Sequence, residues 1–160
     1  MKKAVLIVMG VLVCVVGALG VGLSACHTSP AAALPGVEEA ELLAGNTVLA
    51  RFTGVQEQPC RFMTALCPDR CDHATKLATF AVVENLSYTK PGQYGDEKLS
   101  PGDTAVVDVE KPVLGQPADI AQRIGQLRPG QLVQLTLHHY YVKQGQGQFP
   151  VRPAVELKLR

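Results

Sequence analysis

Hydrophobic and polar residues alternate along most of the chain after residue 45. In residues 46–58, Val48, Ala50 and Phe52 fall on one side of an extended backbone, and the residues between them fall on the other. A period of two among good strand formers predicts a strand with one buried face. The same pattern predicts four further strands, at residues 76–90, 104–111, 131–143 and 149–160.

Two segments show helical features instead. In residues 116–130, apolar side chains recur three or four positions apart, and Pro129-Gly130 ends the run. Residues 37–45 are predicted to form another short helix, which ends at Gly45. The order of predicted elements after residue 45 is therefore three strands, one helix and two strands.

This order resembles the OB-fold, a five-stranded, partly open barrel with a helix between strands 3 and 4. The resemblance covers residues 46–160 and rests on topology, not on a motif. It implies a mostly β fold class, with ligands bound on strands 2 and 3 and the nearby loops. Here those loops are residues 91–103 and a Cys-rich insertion at 59–75.

The first 26 residues carry the features of an export signal. Two lysines precede an uncharged apolar run that ends at Gly22. The next residues, Leu23-Ser24-Ala25-Cys26, resemble the lipobox of bacterial lipoprotein precursors. The resemblance implies that residues 1–25 are a signal peptide and that Cys26 is acylated with fatty chains such as palmitate, which anchor the chain stably. The alternative from the residues alone is an uncleaved membrane helix.

The lipobox resemblance also implies a location. The domain from residue 46 onward would lie outside the cytoplasm, on the cell membrane or the outer membrane, and residues 26–45 would form a tether and the short helix. His27 rather than an aspartate follows Cys26, which implies outer-membrane sorting if the cell is Gram-negative.

Charge and composition exclude one class of partner. Loss of the two leader lysines changes the formal charge from +1 to −1, and the chain has no tryptophan. A near-neutral domain with few aromatic residues lacks both the basic surface and the stacking platforms of nucleic-acid binders. The expected partners are therefore the membrane, through the lipid, and an envelope protein or a small ligand.

A dense group of candidate ligands lies in the predicted insertion, at Cys60, Cys67, Cys71 and His73. In an oxidising compartment exported cysteines usually form disulfides, but three cysteines leave one unpaired after one bridge. Three thiolates and an imidazole also make a complete tetrahedral set for zinc, and thiolates favour copper(I). The residues leave both interpretations open, with no cofactor expected under the first and zinc or copper under the second.

The segment Cys67-Pro68-Asp69-Arg70-Cys71 resembles the C-P-D-x-C motif of copper-delivery proteins for cytochrome oxidase assembly. That resemblance implies copper binding or thiol–disulfide chemistry with a distant histidine, a role open to His138 or His139. Without it, both histidines belong to a half-buried strand with polar tips in water. Acids within 94–98 could act in acid–base chemistry, and a solvated turn is the alternative.

The sequence shows no nucleophile elbow, phosphate-binding glycine loop or zinc-protease motif. We therefore predict a membrane-anchored bacterial lipoprotein that presents a small β-barrel as a binding or envelope-structural module and is not an enzyme. The alternative is a metal-binding or thiol-redox lipoprotein that uses the four residues of the insertion.

Overall fold

The computed structural model describes residue 37 and residues 39–59 and 74–160. Within these ranges the chain forms six antiparallel strands and one short helix. In chain order the elements are β1 (Glu39–Gln58), β2 (Thr75–Thr89), β3 (Thr104–Asp108), α1 (Asp119–Gly125), β4 (Leu132–Gln144), β5 (Gly147–Val151) and β6 (Ala154–Leu159).

All six strands belong to one antiparallel sheet. Four of them follow the order β3-β2-β1-β4, and β5 and β6 both pair with β4. The long β1 pairs along its length with both β2 and β4. The mostly β class and the helix between strands 3 and 4 are confirmed. The predicted five-stranded OB-like barrel is corrected in two respects: the described part of the chain has six strands, and its sheet does not close into a barrel because β3 and β6 do not pair.

The sixth strand arises where the predicted last strand breaks in two. β5 ends at Val151 and β6 begins at Ala154, so Arg152 and Pro153 separate them. Proline has no N–H to donate to a sheet ladder, which limits it to edges and irregular positions. Its carbonyl still accepts a hydrogen bond from the His138 N–H at 3.0 Å, so the break remains attached to β4.

The helix predicted over residues 37–45 is wrong, because β1 begins at Glu39 and continues through this segment. Residues from Glu39 to Gly45 pair with β4, where Glu39 lies opposite Lys143 and Gly45 opposite His138. Local helix propensity is a weak preference, and pairing with a long neighbouring strand outweighs it.

The main core lies under the middle of the sheet. Phe80 is fully buried, and its ring centroid is 5.3 Å from that of Phe52 on the adjacent strand. Alternate residues of β1 and β4 complete this core, and α1 adds Ile120 and Ile124. The alternation of the sequence predicts the inward strand positions, and the helical spacing predicts Ile120 and Ile124.

A second, smaller cluster forms near the start of β1, from Ala40, Tyr140, Val142 and Val151. It is set apart by a bulge at Leu43, since Leu42 pairs with Tyr140 and Ala44 with His139. An extra residue in one strand moves the following side chains to the other face.

In the described ranges no helix is long and apolar enough to cross a membrane.

Candidate functional site

A pocket of about 400 Å³ opens beside the loop of residues 90–103, which we call the β2–β3 loop. Its walls come from this loop, from the first residues of β3 and from residues 137–139 of β4. Leu99, Ala105 and Leu137 make it apolar on the side toward the main core. Charged residues, among them Asp96 and Arg152, surround its mouth.

The β2–β3 loop lies directly on the backbone of β1, and Gly95 makes this approach feasible. Gly95 has a φ of +124°, and a Cβ built on it would lie 2.4 Å from the carbonyl oxygen of Leu43. Only glycine fits where two backbones come this close and φ is positive. The loop can therefore lie against the β1 bulge at Leu43 only with a glycine at position 95.

Asn46 holds the next part of the loop. Its side chain is only 5% exposed, and its Oδ1 accepts hydrogen bonds from the Leu99 N–H and from Asn85 Nδ2, both at 3.0 Å. Its Nδ2 donates to the Glu97 carbonyl at 3.3 Å. With these three hydrogen bonds the buried amide takes the place of water for the Leu99 N–H and the Glu97 carbonyl, which have no strand to pair with.

An ion pair joins the loop to the break between β5 and β6. Arg152 donates to Asp96 through Nε, at 2.9 Å to Oδ2, and through Nη2, at 3.0 Å to Oδ1. This fork geometry matches a guanidinium to a carboxylate. Because Arg152 follows the end of β5, the strand break points this side chain at the loop.

His139 lies beneath this ion pair and is 7% exposed. The Asp96 N–H donates to its Nδ1 at 3.1 Å, and Asp96 Oδ1 lies 3.0 Å from the same nitrogen. The contact with the N–H requires Nδ1 without a proton, whereas a hydrogen bond to the carboxylate requires Nδ1–H, so the two contacts belong to different tautomers of the ring. Nε2 is buried and has no hydrogen-bond partner among the described residues.

Burial lowers the pKa of His139 below its ordinary value, and this effect outweighs the Asp96 carboxylate, which raises it; the Arg152 guanidinium lowers it further. A neutral imidazole is therefore the form present at pH 7.

His138 points to the other face of β4 and pairs with Tyr140. Its Nδ1 lies 2.8 Å from the Tyr140 hydroxyl, and the two rings meet edge to face. Burial lowers the pKa of His138 and raises the pKa of Tyr140, so both remain neutral at pH 7. Both histidines border the pocket, but His139 contacts the β2–β3 loop and His138 contacts Tyr140.

The predicted site residues fall into two groups. His138 and His139 lie in a strand as predicted, and Asp96 and Glu97 from segment 94–98 border the pocket. The lipidation site Cys26 and the four ligand candidates of the insertion, Cys60, Cys67, Cys71 and His73, lie outside the described residues. In the described ranges no group of three or more His, Cys, Asp or Glu residues is placed to hold a metal ion.

Sequence reasoning missed two residues of this site. The pattern predicts a strand that starts at Asn46, and a polar residue in an otherwise apolar alternating series signals a buried hydrogen-bonding role. Arg152 falls within the last predicted strand, and nothing in the linear pattern joins it to Asp96, 56 positions earlier.

Comparison with protein-family models, with curated proteins and with solved structures finds no match to this chain.

Proposed function

We propose that this chain is a bacterial lipoprotein whose β domain is a binding module, with a small ligand held in the pocket beside the β2–β3 loop. The observation that carries the proposal is the pocket itself. Its volume of about 400 Å³ falls in the range of small-molecule sites, which are mostly apolar with a few placed polar groups. The loop that covers it is held in place by Asn46 and by the Asp96–Arg152 pair.

The proposed fold relationship is an OB-like module that lacks the final strand pairing. The strand order and the position of α1 between β3 and β4 support it. The pocket borders β3 and residues 96–99 of the β2–β3 loop, which lie in the region where the resemblance predicts ligand contacts. Fold alone assigns no ligand, so the pocket and not the topology supports the function.

In this proposal the module binds and does not catalyse. The Asp96 carboxylate is engaged by Arg152, and Glu97 pairs with Lys90 at 2.5 Å. Carboxylates held in ion pairs at the pocket mouth position the loop rather than exchange protons with a ligand. The ligand chemistry that fits is a small molecule with an apolar body against Leu99 and Leu137 and a polar group toward the mouth.

The anchoring part of the proposal is tested by Cys26→Ala in cells that are fed labelled palmitate. We expect loss of label, accumulation of the uncut precursor and loss of the processed membrane-bound form. Cys14→Ala is the matched control, because Val13 before it is not small, and it should process normally. Unchanged labelling and processing of Cys26→Ala would contradict lipid anchoring.

The pocket is tested by a titration with hexanamide, a neutral probe with an apolar body and one polar group. The intact chain is placed in phospholipid nanodiscs, because detergent tails would compete for the site. We expect amide NMR shifts at Leu99 and His139, which Val106→Trp at the pocket wall abolishes and the similarly exposed Val83→Trp retains. Shifts that are equal in both variants would place the binding elsewhere.

A second candidate function is metal or thiol chemistry in the predicted insertion. The observation that favours it is the pairing between the end of β1 and the start of β2. Gln58 pairs there with Thr75, and Glu57 pairs with Lys76. This pairing holds together the two chain ends between which Cys60, Cys67, Cys71 and His73 lie.

The two candidates are separated by elemental analysis and a thiol count on the natively purified chain. Zinc or copper that disappears in Cys67→Ser and persists in His138→Gln supports a metal site. Two unreactive thiols and no metal support a disulfide and remove the metal candidate.

A further inference from the structure

Eight large hydrophobic side chains are exposed among the described residues, three aromatic and five aliphatic. The exposed aromatic residues are Tyr94, Tyr141 and Phe149, with 74%, 40% and 38% of their surface accessible. The exposed aliphatic residues are Val55, Val83, Leu86, Val106 and Leu159. Tyrosine and phenylalanine combine a large apolar surface with rigid shape, so their position needs a reason.

All three aromatic residues lie at one end of the sheet, beside the first residues of β1. Tyr141 pairs with Glu41, and Phe149 pairs with Val142, which itself pairs with Ala40. Tyr94 precedes Gly95, whose Cα packs against Leu43. We call this group of three the aromatic end.

The aromatic end is also where the chain enters the fold. Val37 packs against the small cluster of Ala40 and Tyr140, so the described structure begins there. Val37 follows Cys26 by eleven positions. At most about 3.3–3.6 Å per residue, this stretch cannot exceed about 40 Å. A lipid on Cys26 therefore lies within about 40 Å of this end of the sheet, and the chain from Cys26 joins the domain at the aromatic end and not at the end with Leu159.

The charges at this end determine which membrane chemistry fits. Glu39, Glu41 and Lys143 are exposed there, while Arg152 is neutralised by Asp96. No basic cluster is present in this part of the described chain, so attraction to anionic lipids does not hold it. Aromatic side chains, by contrast, favour the interface between water and lipid regardless of lipid charge.

We propose that the aromatic end rests on the lipid–water interface of the membrane that holds the anchor, through Tyr94, Tyr141 and Phe149. This inference rests on the lipid anchoring in the proposed function. It makes the domain lie with a defined end toward the bilayer, and it leaves the opposite end, with Leu159, directed away.

The absence of tryptophan from the sequence allows a clean measurement. Single-tryptophan variants Tyr94→Trp and Phe149→Trp report on the aromatic end. Leu159→Trp is the matched control, since Leu159 is 64% exposed and pairs with Val133, eight residues along β4 from Tyr141. That separation is about 26 Å in an extended strand.

Each lipidated variant is reconstituted in phosphatidylcholine vesicles that contain brominated acyl chains, and the vesicles are floated. We expect bromine to quench Tyr94→Trp and Phe149→Trp and to leave Leu159→Trp at its intensity in unbrominated vesicles. Adding Tyr141→Ser and Phe149→Ser to Tyr94→Trp should reduce the quenching, and replacing part of the lipid with phosphatidylglycerol should not increase it.

Equal quenching at both ends, or no quenching at either, overturns the orientation while the floated protein leaves the anchoring intact. Quenching that appears only with phosphatidylglycerol overturns the aromatic basis. Failure of the chain to float with the vesicles overturns both the orientation and the anchoring on which it rests.

Discussion

The two halves of β1 are stabilised in different ways. Residues 47–58 place Val48, Ala50 and Phe52 in a core of apolar side chains shared with β2, β3, β4, β6 and α1. Residues 39–46 pass through a bulge at Leu43, and the β2–β3 loop covers them. A small apolar cluster around Ala40 lies there too, but the loop itself is held by hydrogen bonds and one ion pair, whose directions fix its position.

This difference explains why the pocket forms at one end of the sheet. Apolar side chains from several strands and from α1 are buried together against residues 47–58. Beside residues 39–46 the loop is held by polar groups at fixed distances, and these groups leave open space between Leu99 and Leu137. The variants below test whether the apolar and the polar half respond as differently as their contacts indicate.

Phe80→Ala should cause the largest loss of stability. The side chain is fully buried against Phe52, and truncation of a core phenylalanine costs about 3–5 kcal/mol. The free energy of unfolding is measured in urea for the intact chain. Val83→Ala on the same strand is the control, because Val83 is 41% exposed and surface changes stay within about 0.5 kcal/mol. Similar losses in both variants would mean that this core does not hold the sheet.

Asn46→Ala should cause an intermediate loss, of about 1–3 kcal/mol, because it leaves the Leu99 N–H and the Glu97 carbonyl without their buried partner. The more specific result is faster hydrogen exchange at the Leu99 amide, with the amides of β6 unchanged. Asn85→Ala removes only one donor to Asn46 and should leave the Leu99 amide protected. Exchange that rises equally throughout the sheet would show global rather than local loosening.

Arg152→Ala should cost less than about 1 kcal/mol, since both partners of its ion pair with Asp96 are partly exposed to solvent. The effect should be local, with shifted NMR signals for the Asp96 amide and the His139 ring. Arg152→Lys should not restore them, because an ammonium cannot make the forked contact. Full recovery with lysine would indicate that only the charge matters.

Acidification should produce an effect that is absent at neutral pH. Burial lowers the pKa values of His138 and His139, so below about pH 6.5 the unfolded chain takes up more protons than the folded chain. Stability is complete above that pH and decreases as the pH falls toward the lowered values. The unfolding free energy from pH 8 to 5 measures this, and in His138→Gln/His139→Gln the decrease should be smaller. An unchanged slope would assign the acid sensitivity to other groups.

The apolar half was largely predictable from the pattern of residues. Val48, Ala50 and Phe52, and later Val133 and Leu135, alternate strictly, and all are buried in the structure. Alternation suffices there because a strand with one apolar face has only one orientation that buries it.

The polar half was only partly predictable. His138 and His139 were identified as strand residues, but their separate roles depend on the strand face and on the loop above it. The predicted helix at 37–45 failed because its residues pair with β4, a contact about 100 positions away in sequence. Such a pairing has no local signal.

The linear pattern by itself identified most of the strand segments, the helix between β3 and β4 and the alternating residues that β1 and β4 place in the main core. It also contains Leu23-Ser24-Ala25-Cys26, and the anchoring proposal comes from the resemblance of this segment to a lipobox. Only the tertiary structure decided that β3 and β6 stay unpaired, that Gly95 meets Leu43 and that Arg152 reaches Asp96. The physical reason is range: burial of an alternating face is a local property of the chain, whereas a pocket depends on groups that distant segments bring within hydrogen-bonding distance.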